Sequence, residues 1–402
     1  MIDPRQLTEE AGLENLCSAA NNYFKSLADP TPWMIKPLSS LVEAPELLQN
    51  IGLLFSGLYL GKTMTVLDFG AGSCWVSRML NQLQCQTIAC DVSEAALEIG
   101  RRLFREAPPL GQALFEPRFL HFNGNHIELP DETVDRIVCN DAFHHVPNQC
   151  VILSEFARIL KPGGIAGFSE PGPAHSTNSQ AQMEMKNYGV LENDIDLPAI
   201  FGLAQEAGFS NVSCKLLNSM TLSLEEYCML LDDPRLEGAK ANDSKNLEHA
   251  IITNIRRTMV EKTIFFLHKG ELALDSRGSA GLSHCLRIDK TPVESPLGEQ
   301  LSVDVTITNT GIARWLRNNV RGIGIVKLGT HLYDANGYLL ELDFSRHPFP
   351  EDVLPGQTVR ITALLQFPAK GDFTVAFDLV SEGISWFETL GSEPKSIHIR
   401  VR

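Results

Sequence analysis

Hydrophobic positions fall into two textures along this chain. Up to about residue 270, runs with helical spacing alternate with short apolar runs. Helical spacing spans Thr8 to Phe24 and Pro45 to Leu60, and Pro30 and Pro32 break the pattern between them. Strand-like runs follow at 63–70, 86–93, 118–124, 134–143, 165–172, 211–218 and 263–270. Helix-like runs lie between them at 73–83, 94–106, 150–160, 197–209, 223–231 and 248–262. Repeated strand–helix–strand units predict a parallel sheet with helices on both faces. Beyond about residue 282 the period shortens to two: Leu301, Val303, Val305 and Ile307 share one face. Turn signals at Asn336-Gly337, Pro355-Gly356 and Lys370-Gly371-Asp372 separate such runs, as in a β-sandwich.

Four segments are expected. Residues 1–64 form a helical lid and 65–273 an α/β domain. Residues 274–282, rich in small polar side chains, form a linker. Residues 283–402 form an all-β, Ig-like sandwich. The length of 402 residues suits two domains. A net charge of -15 argues against a nucleic-acid partner or an anionic membrane surface. The nine cysteines include no Cys-x-x-Cys pair, which fits a reducing compartment. The apolar run Ile51–Leu60 is too short to span a bilayer, and the first residues lack an apolar signal core. A cytoplasmic protein with no transmembrane segment is expected.

The stretch Val66–Leu80 carries the strongest chemical signal. Two buried-strand residues lead into Asp68-Phe69-Gly70-Ala71-Gly72, and a helical pattern follows. The glycines permit a tight turn and close approach of a ligand to the backbone. The helix start adds free N–H groups and a positive dipole end. Asp91 ends the second strand, where a carboxylate can accept from both ribose hydroxyls. Ser93 suits the next helix cap, leaving Asp91 free for that role. A dinucleotide site needs a small residue where Trp75 stands, and no Gly-Lys-Ser/Thr follows the turn. A ligand with a ribose but no phosphate chain fits better.

In this order the motifs resemble those of class I S-adenosylmethionine-dependent methyltransferases over about residues 50–270. Asp68–Gly72 resembles the family's first motif, and Asp91 its ribose-binding acid. Asn123-Gly124-Asn125-His126-Ile127-Glu128-Leu129-Pro130 is similar to its adenine segment, with Asn125 in place of the usual acid. Val134–Val146 looks like its fourth strand and following loop, and Leu160–Gly164 like the turn before the fifth strand. The resemblance implies a Rossmann-like, seven-stranded α/β fold and S-adenosyl-L-methionine as cofactor. It implies cofactor contacts from Asp68, Phe69, Gly70, Ala71, Gly72, Asp91, Val92, Asn125, His126 and Asn140.

Methyl transfer to a hydroxyl needs positioning and a base. Asp141, His144 and His145 follow the fourth strand; Glu170 and His175 follow the fifth. Of these, His175, His145 and Glu170 are the expected catalytic residues. No ligand spacing diagnostic of a metal is present, and none is assigned. In the C-terminal part Trp315, Tyr333, Arg346, Trp386 and Phe387 suit either a sugar face or core packing. That part also loosely resembles sandwich domains of bacterial polysaccharide-modifying and polysaccharide-exporting proteins. The resemblance implies O-methylation of a sugar or polysaccharide precursor. A small-metabolite or lipid acceptor and a non-catalytic binding protein are the alternatives; a homo-oligomer is compatible with either.

Overall fold

The computed structural model describes residues 1–111, 114–217, 220–231, 241–290 and 293–402. The chain divides into two compact units, one of residues 1–58 and 65–272, the other of residues 59–64 and 273–402.

In chain order the first unit contains α1 (Pro4–Lys25), α2 (Thr31–Met34), α3 (Ala44–Leu58), β1 (Thr65–Phe69), α4 (Trp75–Gln82), β2 (Gln86–Asp91), α5 (Glu94–Glu106), β3 (Arg118–His121), β4 (Val134–Asn140), α6 (Gln149–Ile159), β5 (Leu160–Pro171), α7 (Ser179–Tyr188), α8 (Leu197–Ala207), β6 (Asn211–Lys215), α9 (Leu224–Leu230), α10 (Ala241–Glu261) and β7 (Lys262–His268). The strands form one seven-stranded sheet, ordered β3-β2-β1-β4-β5-β7-β6. β1 to β5 are parallel; β7 runs antiparallel to both β5 and β6. The order reverses direction between β1 and β4, so the carboxyl ends of those strands flank the crevice where open α/β sheets take ligands.

Local chemistry sets the boundaries. Ser93 caps α5, accepting from the Ala96 N–H. Gly208 closes α8 in the left-handed region at φ 105°. Phe69, Ile137, Phe143, Phe156, Phe168 and Phe265 build the core around the central strands. On the sheet, α3 packs so closely that a Cβ on Gly57 would lie 2.1 Å from the Phe266 ring. The helix α7 was not expected: its sequence, SQAQMEMKNY, has a short and mostly polar pattern, and Asn178 caps it. The run expected as a strand over 211–218 is a strand to Lys215, and Asn218 lies outside the described residues.

The second unit is all strand, in several sheets. One comprises Glu294–Ser295, Lys395–Val401, Gly371–Ser381, Val326–Asp334 and Leu339–Pro348, with Ser385–Trp386 paired to Gly371–Ser381. A second pairs Leu301–Asn309 with both Thr358–Leu365 and His284–Ile288. Val303, Val305 and Ile307 are buried while the residues between them are not, as the period of two predicts. One expectation fails here. The 274–282 segment does not behave as a linker: Leu274–Asp275 pairs with Ala313–Arg314, and the buried Ser276 hydroxyl donates to the Gly324 carbonyl. Of the two alternatives open for Trp315 and Phe387, the structure shows core packing: both are buried with their rings edge to face.

Candidate active site

The glycine turn between β1 and α4 is held by side-chain chemistry. Gly70 and Gly72 have φ of 64° and 52°. A Cβ on Gly70 would lie 2.3 Å from that of Ala142, so the turn sits directly against the loop after β4. One Asp91 oxygen accepts from the Gly72 N–H at 2.8 Å, the other from the Ser93 N–H at 2.7 Å. Asp91 therefore clamps the turn to the end of β2. Burial pushes its carboxyl up, and the Gly72 and Ser93 N–H groups pull partly back. Cys74 adopts a left-handed φ of 61°, where glycine is usual, and its Sγ fills the space beside Gly100. Asp68, at 2% exposure, accepts from the Ser77 hydroxyl at 2.5 Å; burial raises its carboxyl to about 7.

A cavity of about 270 Å³ opens over this turn. Its floor is formed by Asp68, Phe69, Gly70, Ala71, Gly72, Asp91, Val92 and Asn140, all of them expected cofactor contacts. Leu13, Leu16, Tyr23 and Phe24 of α1 and Trp33 of α2 form the opposite, mostly apolar wall. The lid is tied down by Asn21, whose side-chain oxygen accepts from the Ser93 hydroxyl and the Ala95 N–H. The Ser73 hydroxyl donates to the Trp33 carbonyl at 2.7 Å. Two expected contacts lie elsewhere. Asn125 is exposed outside the cavity wall and accepts from the Asn148 amide, while His126 pairs with Glu155. Phe122, Gly124, Val146, Pro147 and Asn148 line that end of the cavity instead.

The expected catalytic residues separate. His145 lines the cavity. Its Nδ1–H donates to the Leu191 carbonyl at 2.6 Å, which leaves Nε2 with a lone pair. Glu170 is not available as a base. It is fully buried at the end of β5 and accepts from the N–H groups of Ala142, Phe143 and His144 and from His144 Nδ1 at 2.7 Å. Its role is to fold the loop after β4. His175 does not line the cavity either; its Nε2–H donates to Glu192 at 2.7 Å, and its Nδ1 accepts from the Asn178 amide at 3.1 Å. His144 is buried, and burial together with neighbouring His145 pushes its imidazole well below the ordinary histidine range. Asp141 pairs with Lys262.

The residue absent from the sequence expectations is Glu192. It is 2% exposed and lies 2.7 Å from His175 and 3.5 Å from both His144 and His145. Burial raises its carboxyl, but the His175 hydrogen bond and the neighbouring histidines outweigh this and hold it below the ordinary range. It sits in Leu191-Glu192-Asn193-Asp194, four residues past the end of the unexpected α7. The one available signal was an acidic residue directly after the apolar pair Val190-Leu191, past a histidine-bearing loop.

S-adenosylmethionine carries a ribose, an adenine and a charged methionine end, and the floor residues fit it. Asn140 lines the cavity with a buried side-chain oxygen that has no hydrogen-bond partner among the described residues, an acceptor suited to an ammonium group. Asp91 keeps unused lone pairs for the ribose hydroxyls.

Residues 67–168 match the family described as "Methyltransferase domain". The demethylmenaquinone methyltransferase of Listeria monocytogenes is 27% identical over 175 residues, covering 38% of this chain and 72% of that protein. The ubiquinone/menaquinone biosynthesis C-methyltransferase UbiE of Coxiella burnetii is 28% identical over 113 residues, covering 26% of this chain and 43% of that protein. A solved complex of the Haloferax volcanii Trm112 activator with a methyltransferase overlaps at a TM-score of 0.41 and 15% identity, covering 65% of this chain and 98% of that one. The first unit has a Rossmann-like methyltransferase fold, and residues 67–168 carry the methyltransferase match. The protein is an S-adenosylmethionine-dependent methyltransferase.

Proposed function

We propose that the methyl group goes to a small acceptor with an apolar body, bound between α1–α2 and the loop after β4, and that His145 removes the acceptor's proton. The observation that carries this reading is the cavity itself. An apolar and aromatic wall meets a floor that carries Asp68, Asp91 and Asn140, and His145, with a lone pair on Nε2, lines the same cavity. S-adenosylmethionine supplies an electrophilic methyl on a sulfonium. Asp91 and the Gly70–Gly72 backbone bind its ribose and methionine ends, and Asn140 accepts from its ammonium group. The Leu191 carbonyl holds His145 in the tautomer that can take a proton. Glu192, braced by His175, places negative charge beside the imidazolium that then forms. Glu170 fixes the loop that carries His145. An apolar acceptor also agrees with a demethylmenaquinone methyltransferase among the relatives.

The sugar or polysaccharide acceptor is the second reading. Its remaining support is Trp386, half-buried with the Arg346 guanidinium 4.3 Å from its ring centre, a pair able to meet a sugar face. The two readings separate in one experiment. The protein is incubated with S-adenosylmethionine labelled in its methyl group and with cell extract split into organic-soluble and aqueous glycan fractions. Label entering the organic-soluble fraction, and lost in His145→Gln, is the expected result. Label entering only the glycan fraction overturns the apolar acceptor.

A further inference from the structure

Among the described residues two side-chain clusters bring three metal-capable groups within 4.8 Å of one another. In the first, His144, His175 and Glu192, the His175 ring is committed to hydrogen bonds at both nitrogens. His175 donates from Nε2 to Glu192 and accepts at Nδ1 from Asn178. The Asn178 side-chain oxygen is committed to capping α7 through the Ala181 N–H, so its amide cannot turn round to free Nε2. That ring offers no lone pair to an ion.

The second cluster lies in the all-strand unit and has the opposite property. His331 is on Val326–Asp334, Asp378 on the neighbouring strand Gly371–Ser381, and Glu388 in the short helical turn Glu388–Leu390. His331 is fully buried, and its Nδ1–H donates to the Leu342 carbonyl. Its Nε2 therefore bears a lone pair, and among the described residues that atom has no hydrogen-bond partner. It points toward Glu388 with 3.6 Å between Nε2 and Oε1. This exceeds a normal N–H···O hydrogen bond. It is close to the separation of two donors about 2.0–2.1 Å from a shared tetrahedral ion. Asp378 is fully buried too. One of its oxygens accepts from His284 Nε2–H at 2.6 Å and the other from the Glu388 N–H at 2.9 Å. Each oxygen keeps a lone pair, and the carboxylate is held as outer partners hold metal ligands.

We propose that His331 Nε2, Asp378 and Glu388 form a binding site for a divalent transition metal, Zn²⁺ in the first instance. One neutral imidazole and two carboxylates balance a 2+ charge, and this N,O,O set suits zinc with a water in the fourth position. Glu388, with its side chain 35% exposed, is the group at the solvent side through which the ion enters. The bound ion ties two paired strands to the turn at 388–390, which makes it a structural element of this unit. The second set of observations, on His284 and Leu342, fixes the donors in the orientation an ion requires.

The test uses the full-length, tag-free chain stripped with a chelator and titrated with ZnCl₂ by calorimetry, with thermal unfolding read in parallel. The proposal expects one saturable site, a Zn²⁺-dependent rise in Tm, loss of both in Glu388→Gln, and full retention in Glu192→Gln. Glu388 is partly exposed, so its variant is expected to fold, and its metal-free Tm verifies that. Absence of saturable Zn²⁺ binding, an unchanged titration in Glu388→Gln, or loss of binding in Glu192→Gln each overturns it.

Discussion

At the residue scale, the site separates side chains that face the cavity from those that hold them. His145 and Glu170 were both expected as catalytic, yet only His145 reaches the cavity, because three backbone N–H groups capture Glu170. His145→Gln is expected to lower kcat by about 10²–10⁴ while leaving S-adenosylmethionine affinity within twofold or so. An equal loss in both quantities speaks against a base. Asp68 gives a pH signature. Below about pH 4 folded and unfolded chains both hold its proton; up to about 7 only the folded chain does. Its contribution to stability therefore declines as pH rises through that window, by on the order of 4 kcal/mol in all. Burial raises Asp91 and Glu170 as well, so the Asp68 share is read by difference. Asp68→Asn is expected to flatten the fall in Tm between about pH 5 and about pH 7; an unaltered slope contradicts it. The glycine turn and Asp91 were legible in the sequence because each needs a particular residue type at a particular strand end. Glu192 was not, because its function comes from three histidines brought to it by the fold.

At the scale of elements, the N-terminal helices do two different things. α1 and α2 line the cavity, whereas α3 packs on the sheet and reaches the cavity only through Leu47. Hydrophobic spacing announces α1 and α3 alike and cannot say which surface each will cover, while α2 forms where the sequence showed only a proline break. Asn21 is the polar tether of the lid. Asn21→Ala is expected to raise the Kd for S-adenosylmethionine about fivefold, matching the roughly 1 kcal/mol of a typical hydrogen bond. It should also speed proteolytic cleavage within α1, and unchanged cleavage would sink the tether. Gly57 allows the close approach of α3 to Phe266. Gly57→Val is expected to cost about 1–3 kcal/mol through overpacking, visible as a lower Tm. α7 escaped the sequence reading because its Met and Ala positions make only a weak apolar stripe, and Asn178 caps it in a loop rich in proline and glycine.

For the whole molecule, the two units are interleaved in sequence: residues 59–64 belong with the all-strand unit although they precede β1. Lys62 accounts for this, with its N–H donating to the Arg277 carbonyl and its ammonium to that of Gly383; Asn319 adds a bond to the Thr63 hydroxyl. Six residues between a helix and a strand carry no periodicity that could reveal this, so the sequence suggested consecutive domains. Ending the chain at residue 272 removes every one of those partners, and such a truncation is expected to melt below the full-length protein. No described helix is long and apolar enough to cross a membrane. The central claim is that the floor around Asp91 holds S-adenosylmethionine. Calorimetric titration of that compound into the full-length protein and into Asp91→Ala tests it most directly, with Tm recorded for both. Loss of the charged hydrogen bonds to the ribose predicts an affinity about 10- to 100-fold weaker in a variant that still melts cooperatively. Equal affinity in the two proteins would contradict the account.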